Sequence, residues 1–388
     1  MGCKEEGLKV PLADLRAQYY ELKDQIDTAI ADVIETGQFS GGARVANLEH
    51  EIANLCGAKH GIGVASGTDA LILALDALGI GRDDEVITTP FTFGATTEAI
   101  ARMGARPVYV DIDPDTYNID VNRIESRITK RTKALLPVDL YGQMSNREAL
   151  IAIASRYGLR LINDSAQSIG STRHGIPIAV QGDASTLSFY PTKNLAAYGD
   201  GGMILTNDDE AAEVLRSLRG HGTHGHKYHY VRVGYCSRLD AMQAAVLAVK
   251  LPLLVGWNDA RRRNAHVYNR LLVDVAQESG GELVLPLETP ESFHVYHQYT
   301  IRHRRRGELQ AFLKERQIGT EIYYPAPLHL QPAYTPLGYR EGDFPISERV
   351  ANEVLSLPIH PELTEEQVTY VSQCICEFQT SRVASSLH

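Results

Sequence analysis

The sequence predicts an α/β protein, with a large domain built on a mostly parallel seven-stranded sheet flanked by helices and a smaller C-terminal α+β domain. In the first part of the chain, short apolar and β-branched runs alternate with helical patterns, which is typical of βα units. From Leu239 the pattern becomes a long helical stretch that is interrupted at Pro252 and continues toward Leu272. Strand and helix patterns then resume. We therefore predict a large domain over residues 1–250 and a small domain over residues 251–388.

Seven apolar runs of the large domain are predicted strands, and four helices are predicted between them. The strands are 61–65, 85–89, 106–111, 134–140, 160–163, 185–189 and 203–206. The helices are 68–78, 96–103, 121–128 and 147–157. In the small domain we predict a strand at 297–301, a helix at 308–316 and a second strand at 319–323. Because ligands of such sheets bind outside the carboxyl ends of the strands, residues at those ends are the first functional candidates.

One lysine follows the sixth predicted strand, in the segment SFYPTKN at 188–194, and the glycine-rich run GDGG follows at 199–202. A lysine at a strand end can be partly desolvated, so that its amine loses a proton and attacks a carbonyl. Most lysines are instead solvated surface charges. Lys193 nevertheless has the setting of a Schiff-base lysine.

The preceding strand ends on a carboxylate and an amide three residues apart, Asp164 and Gln167. Pyridoxal 5'-phosphate requires a carboxylate facing its ring nitrogen, which makes the cofactor an electron sink, and a donor near its ring hydroxyl. Taken alone, Asp164 would more simply be interpreted as a cap at the end of a strand. Together with Lys193, the pair indicates a pyridoxal phosphate site.

A third segment, GIGVASGTDAL at 61–71, turns from a predicted strand into a predicted helix at Gly67. Unpaired backbone amides at the helix start and the Thr68 hydroxyl could hold a phosphate. The alternative is a dinucleotide-binding fingerprint, but Gly61, Gly63 and Gly67 give G-x-G-x-x-x-G, which is one residue too long. We therefore interpret the segment as a phosphate site.

Composition excludes several other classes of protein. The chain has 388 residues and a net charge of −10, which argues against nucleic acid as a partner. We find no apolar run long enough to span a bilayer and no secretory signal at residues 1–6, so we expect a cytoplasmic protein without membrane contact. Five scattered cysteines lack zinc spacing and indicate a reducing compartment and no metal. They are Cys3, Cys56, Cys236, Cys374 and Cys376.

Six motifs then occur in an order that resembles nucleotide-sugar aminotransferases of the DegT/DnrJ/StrS type, which are fold-type I pyridoxal phosphate enzymes. The resemblance runs from about residue 10 to residue 358. The motifs are SGTDAL at 66–71, PFTF at 90–93, LYGQ at 140–143, DSAQ at 164–167, SFYPTK at 188–193 and YPAPLHLQ at 324–331. Any one of these motifs could arise by chance, but the ordered set is specific.

The resemblance implies a role for each matching position. Lys193 would form the Schiff base and move the proton between substrate and cofactor, Asp164 would pair with the ring nitrogen, and Gln167 would approach the ring hydroxyl. Phe93 would stack on the ring, although alone it would be interpreted as an ordinary core aromatic. The implied phosphate ligands are Gly67, Thr68 and Ser188.

The resemblance also implies a reaction in two halves. L-glutamate would leave its amino group on the cofactor as pyridoxamine 5'-phosphate, and a keto sugar nucleotide would then accept it. The segment 322–331 resembles members that aminate C3, which favours a UDP- or dTDP-linked 3-keto hexose. Amination at C4 of a 4-keto-6-deoxy sugar, or a regulator that binds the cofactor without turnover, remain alternatives. Family members in which histidine replaces the lysine are dehydratases, and retention of Lys193 argues against that chemistry.

Four residues are candidates for contact with the substrate: Tyr190, Arg232, Tyr324 and His329. His329 could approach the sugar or could only order its loop. Arg232 ends a glycine- and histidine-rich loop, 219–232, which by resemblance would cover the active site of the second subunit in a homodimer.

Many members place an asparagine from the partner subunit near the phosphate, where this chain has Cys236, a much weaker hydrogen-bond donor.

Overall fold

A computed structural model describes residues 8–380 of the chain. Residues 1–7 and 381–388 lie outside the described part, and with them Cys3 and the segment in which we expect no secretory signal. Eleven α-helices and thirteen strands are found within it.

The strands are β1 (His60–Val64), β2 (Glu85–Thr88), β3 (Arg106–Tyr109), β4 (Thr132–Leu135), β5 (Arg160–Asp164), β6 (Thr172–Arg173), β7 (Ile176–Pro177), β8 (Ala184–Ser188), β9 (Gly202–Thr206), β10 (Leu283–Val284), β11 (Ser292–Phe293), β12 (Tyr299–His303) and β13 (Val354–Leu357). The helices are α1 (Leu15–Thr36), α2 (Gly42–Cys56), α3 (Gly67–Ala77), α4 (Gly94–Arg102), α5 (Arg147–Tyr157), α6 (Asp209–Arg219), α7 (Ala241–Lys250), α8 (Leu254–Glu278), α9 (Arg306–Glu315), α10 (Pro345–Glu353) and α11 (Glu365–Thr380).

All seven strands predicted for the first part of the chain belong to one sheet, in the order β1-β9-β8-β5-β4-β2-β3. Every pairing in it is parallel except those of β9, which runs antiparallel to both β1 and β8. The strands are buried over almost their whole length, as expected for a sheet covered by helices on both faces. The predicted mostly parallel seven-stranded sheet is therefore confirmed.

Three of the four helices predicted between the strands are present as α3, α4 and α5, but the helix predicted over 121–128 is wrong. Two 3-10 turns, Val121–Arg123 and Glu125–Arg127, occupy that segment. Ile124 is its only fully buried side chain among those described. One buried contact does not offset the cost of nucleating a longer helix.

Two predicted strands also differ. The strand predicted over 134–140 stops at Leu135, and Val138 forms only an isolated bridge to Asp164. The strand predicted over 319–323 is absent from the described structure. Gly319 pairs with the N-terminal segment through Val10, whereas Glu321 pairs with Ser356, so the segment has no single partner with which to form a ladder.

The long helical stretch is confirmed, with a 3-10 turn at Leu251–Leu253 that contains Pro252 and separates α7 from α8. We expected no apolar run long enough to span a bilayer, and this expectation was wrong: one helical segment has the length and the apolar composition that a membrane span needs. Ala241–Glu278 contains an 18-residue window of mean hydropathy 1.3, although 56% of that window is buried inside the protein. Because α7 packs on α1 and α2, its apolar character is explained by burial in the core.

A second core surrounds the small sheet β10-β12-β13 and is formed largely by residues after 264, including Tyr268, Tyr299 and Val371. Val10 also packs into this core. The predicted domain boundary at residue 250 stays a prediction. The strand at 297–301 and the helix at 308–316 are confirmed, as β12 and α9.

Candidate active site

The carboxyl ends of the central strands place the candidate residues next to one another. Asp164 is the last residue of β5, and Ser188 is the last residue of β8. Gly67 is the first residue of α3, and Phe93 caps the N-terminus of α4. Lys193 lies in the turn between β8 and β9.

Asp164 is a buried carboxylate, 5% exposed. Its Oδ2 accepts a 2.8 Å hydrogen bond from the Thr96 hydroxyl, and its Oδ1 accepts a 3.3 Å bond from the backbone N–H of Ala166. Burial raises the pKa of the carboxyl above its usual range, while the Thr96 bond opposes that shift. Within residues 8–380 no cation pairs with Asp164 at salt-bridge distance. The site therefore offers a buried carboxylate suited to a positively charged ring nitrogen.

Lys193 is half-buried, and its backbone N–H donates to the carbonyl of Tyr190 at 2.8 Å. Burial lowers the pKa of its amine to about 8, while the negative charge of Asp164 acts in the opposite direction. An amine with this pKa has a neutral, nucleophilic fraction near neutral pH that an ordinary lysine lacks.

Gln167 is held by both ends of its side-chain amide. Its Oε1 accepts from the backbone N–H of Tyr141 at 2.7 Å, and its Nε2 donates to the Tyr324 hydroxyl at 3.1 Å. A carboxamide carries two N–H donors, so one remains for another acceptor. Gln167 follows Asp164 by three residues, just beyond the end of β5.

Phe93 does not lie in the core. Its side chain is 62% exposed, with the ring centroid 6.2 Å from that of Tyr324. An exposed aromatic ring, at the start of the helix whose Thr96 bonds to Asp164, leaves a flat apolar face for a second ring. The alternative of an ordinary core aromatic is therefore not supported.

The start of α3 approaches β8 closely. A Cβ added at Gly67 would lie 2.7 Å from the Cβ of Ser188, a distance that side chains essentially never adopt. Ser66 caps the helix by accepting from the N–H of Asp69 at 3.0 Å. Within the described chain, the N–H groups of Gly67 and Thr68 have no hydrogen-bond acceptor, and the Ser188 hydroxyl lies close to Gly67. Free N–H groups at a helix N-terminus are suited to binding an anion.

The four candidate substrate residues lie in different surroundings. Tyr190 is 53% exposed at the Lys193 turn, and Tyr324 borders the site through Gln167 and Phe93. Arg232 is exposed and donates to the carbonyl of Val214 at 3.3 Å.

His329 is buried, and its Nε2 lies 2.9 Å from Oε1 of Glu348. Its ring also packs against Phe344, with centroids 4.7 Å apart. Of the two roles expected for His329, this arrangement supports ordering of the loop rather than contact with a sugar.

The segment around Cys236 is hydrogen-bonded to the start of α3. The Ser237 hydroxyl donates to Oδ2 of Asp69 at 2.6 Å and accepts from the N–H of Ala65 at 3.2 Å, which ties this segment to the start of α3. Cys236 itself is exposed, and Arg238 donates to its sulfur at 3.3 Å. In the described part of the chain, no group of three or more His, Cys, Asp or Glu side chains could hold a metal ion.

Sequence reasoning missed the residues that hold the Lys193 turn. Asn194 bonds to Asn258 of α8, and the buried Lys250 of α7 donates to the carbonyl of Ala196 at 2.9 Å. The motif 188–194 could have directed attention to Asn194, but no local signal marks Lys250 or Asn258, because they belong to helices distant in sequence.

These features fit a pyridoxal phosphate group part by part: an anion site, an exposed aromatic face, a buried carboxylate without a cation and an amine of lowered pKa. The fold and site define a fold-type I pyridoxal phosphate enzyme. The chain belongs to the DegT/DnrJ/EryC1/StrS aminotransferase family, whose family model matches residues 21–376. It is therefore a pyridoxal phosphate-dependent aminotransferase.

Two curated relatives match nearly the whole chain. A "pleiotropic regulatory protein" of Geobacillus stearothermophilus is 53% identical over 372 residues, which cover 96% of this chain and 99% of that protein. A UDP-N-acetyl-3-dehydro-alpha-D-glucosamine 3-aminotransferase of Acidithiobacillus ferrooxidans is 44% identical and covers 94% of this chain and 97% of that protein.

Two solved structures show the same fold. DesV of S. venezuelae, in complex with a ketimine intermediate, has a TM-score of 0.91 and 42% identity over 96% of this chain and 98% of its own. NtdA of Bacillus subtilis, with bound cofactor PMP, has a TM-score of 0.87 and 31% identity over 96% of this chain and 87% of its own.

Proposed function

We propose that this aminotransferase moves the amino group of L-glutamate to C3 of a 3-keto hexose carried on UDP or dTDP. Amine transfer is supported by the position of Lys193, in the turn that follows β8, next to the strand that ends on the buried carboxylate Asp164; burial also lowers the pKa of the Lys193 amine to about 8. Support for C3 comes from the segment 322–331 and from the 3-aminotransferase of A. ferrooxidans.

Bound pyridoxal phosphate supplies a carbonyl that exchanges amines and a ring that accepts electrons from the substrate carbon. We assign the phosphate to the N–H groups at the start of α3, with Gly67, Thr68 and Ser188 as ligands. Gly67 lets the backbone approach the phosphate, because no side chain fits between it and Ser188.

Asp164 would hold the proton on the ring nitrogen. A positive charge opposite this carboxylate favours its ionised form and offsets the burial that otherwise raises its pKa. Phe93 would cover one face of the ring with its exposed side chain. The remaining donor of Gln167 would bind the ring hydroxyl, since its other contacts, to Tyr141 and Tyr324, fix the amide.

Lys193 would bind the cofactor at rest and carry the proton during turnover. An amine with a pKa of about 8 can accept the α-proton of glutamate and return it to the sugar carbon near neutral pH.

The enzyme would act in the cytoplasm as a homodimer with active sites shared across the interface. The loop 219–232, with Arg232 at its end, would cover the partner's site and meet the nucleotide diphosphate. Tyr228 in this loop is 76% exposed, and Val233 just beyond it is 94% exposed, as expected for side chains that a second subunit buries. Cys236 replaces the asparagine that many members offer to the partner's phosphate.

A second candidate function is a regulator that binds the cofactor without turnover, because the G. stearothermophilus relative is named a regulatory protein. Retention of Lys193, Asp164 and Gln167 favours the enzyme. Amination at C4 is the other alternative for the substrate.

The experiment is to load the protein with pyridoxamine 5'-phosphate and add matched 3-keto and 4-keto sugar nucleotides. We expect an amino sugar from the 3-keto compounds, identified by mass and by NMR of the aminated carbon. If only the 4-keto compounds give a product, the enzyme aminates C4 and the proposal of C3 is wrong. Absence of product with every keto sugar, despite bound cofactor, would favour the regulator.

A further inference from the structure

The residue after Lys193 is fixed by three hydrogen bonds from two other parts of the chain. Asn194 is buried, and its Nδ2 donates to Oδ1 of Asn258 at 2.8 Å and to the carbonyl of Val295 at 3.2 Å. Its Oδ1 lies 3.1 Å from Nδ1 of His297. The Lys193 turn is thereby attached to α8 and to the segment before β12.

Backbone carbonyls determine the direction of each hydrogen bond in this series from Ile169 to His297, because a carbonyl can only accept. Asn258 must present its Nδ2 to the carbonyl of Ile169, at 3.1 Å, so its Oδ1 is the atom that faces Asn194. Asn194 in turn uses both N–H groups, on Asn258 and on Val295, and has only its oxygen left for the imidazole. His297 therefore carries its proton on Nδ1 and donates it to Asn194.

The backbone of His297 also has close contacts. Its carbonyl accepts a 3.4 Å bond from Arg261, and its backbone N–H approaches Gly142 so closely that a Cβ there would lie 2.9 Å away. Burial moves the pKa of His297 well below its usual range, and the positive charges of Lys193 and Arg261 and the neighbouring His294 act in the same direction. A neutral imidazole is what a single donated Nδ1–H requires.

We propose that His297 is a positioning residue for Lys193: its Nδ1–H completes the Ile169–Asn258–Asn194 chain, which fixes the backbone that carries the lysine. This inference rests on the proposed role of Lys193. Without the imidazole donor, Asn194 loses its third bond, and the lysine amine can turn from its half-buried position toward water. His297 acts through Asn194 and does not itself touch the reacting atoms.

The test is a pH titration of the visible absorption of the pyridoxal phosphate-loaded protein without substrate, which reports the protonation of the lysine-bound nitrogen. His297→Asn keeps an N–H donor close to the position of Nδ1, whereas His297→Gln places its donor close to the position of Nε2. We expect His297→Ala and His297→Gln to raise the titration midpoint by about one pH unit, because added hydration stabilises the protonated form. His297→Asn should stay near the wild type.

Asn258→Ala breaks the far end of the same chain and should shift the midpoint in the same direction, so the inference stays testable if His297→Ala fails to fold. Equal midpoints in the wild type, His297→Gln and Asn258→Ala would overturn the inference. Equal shifts in His297→Asn and His297→Gln would overturn it too, since the position of the donor would not matter. A wild type that binds pyridoxal phosphate without a lysine-linked absorption would instead contradict the proposed role of Lys193.

Discussion

The Thr96 hydroxyl, in the first turn of α4, donates a 2.8 Å hydrogen bond to Oδ2 of Asp164 at the end of β5. Thr96 is fully buried, and its oxygen also lies 3.0 Å from that of Thr92. One helix thus presents Phe93 at its N-cap and, three residues later, the hydroxyl that orients the carboxylate. The loop and helix after β2 therefore serve two sides of the candidate cofactor site.

Replacing Thr96 with Val keeps the shape of the side chain and removes that bond. A hydrogen bond to a charged group contributes about 1.5–3 kcal/mol, so we expect the dissociation constant of pyridoxal phosphate to rise about tenfold or more. Equilibrium dialysis measures it. The matched control is Thr97→Val, because Thr97 is equally buried on α4 but bonds to Tyr109 at 3.0 Å. Similar losses in both variants would contradict a specific role for Thr96.

Gly67→Ala tests the phosphate site. The added methyl would meet Ser188 at 2.7 Å, so the start of α3 must move away from β8. We expect weaker binding of pyridoxal phosphate with a smaller effect on pyridoxal, which lacks the phosphate. Gly256→Ala in α8 is the control, because its Cβ would meet nothing within 4 Å. Equal loss of affinity for both compounds would place the damage outside the phosphate site.

Arg147 and Asp139 form an ion pair in which both side chains are 0% exposed, with Nη2 and Oδ2 2.6 Å apart. Asp139 also accepts from the hydroxyls of Ser165 and Ser168, which flank Gln167. Arg147→Met leaves a buried carboxylate without its cation, and we expect a loss of about 3–5 kcal/mol in the free energy of unfolding, measured with urea.

Adding Asp139→Asn to Arg147→Met should recover part of that stability, because the uncompensated charge is removed. The exposed pair of Arg156 and Glu125 is the comparison, and Arg156→Met should cost no more than about 1 kcal/mol. A double variant no more stable than Arg147→Met alone would argue against the charge as the cause.

Lys193 makes the stability of the cofactor-free protein depend on pH. Its folded pKa is about 8 against an ordinary value of 10.5, so between these values the unfolded chain binds more protons than the folded one. The free energy of unfolding should therefore rise as the pH increases from 8 toward 10.5. Below pH 8 the folded protein carries the full cost of burying the charged amine. Lys193→Met removes this contribution.

We expect the urea midpoint of cofactor-free Lys193→Met to exceed that of the wild type at pH 7, with the difference shrinking by pH 10. The wild-type and variant curves share the buried Lys250, whose pKa is also about 8, so their difference isolates Lys193. A constant difference across this range would show that the amine is not desolvated.

Much of the fold and site could be predicted because the signals were local. The strands of the large sheet were readable from apolar runs, and Asp164, Gln167 and Lys193 sit at strand ends, where ligands of such sheets bind. The 3-10 turns at 121–127 and the segment at 319–323, which forms no strand, could not be predicted from the sequence, since their backbone geometry depends on which parts of the chain lie nearby. His297 and Asn258 were missed for the same reason: only the folded chain brings them to Asn194.

In the proposed function Lys193 binds the cofactor at rest and moves the proton, while the amino group itself passes through the cofactor. The most direct measurement is the visible absorption spectrum of the pyridoxal phosphate-loaded protein before and after excess L-glutamate, beside Lys193→Ala. We expect the lysine-linked absorption of the wild type to convert to that of pyridoxamine 5'-phosphate, while the variant shows no such band and no conversion. Conversion in Lys193→Ala at the wild-type rate, or none in a wild type that holds the cofactor, would contradict it.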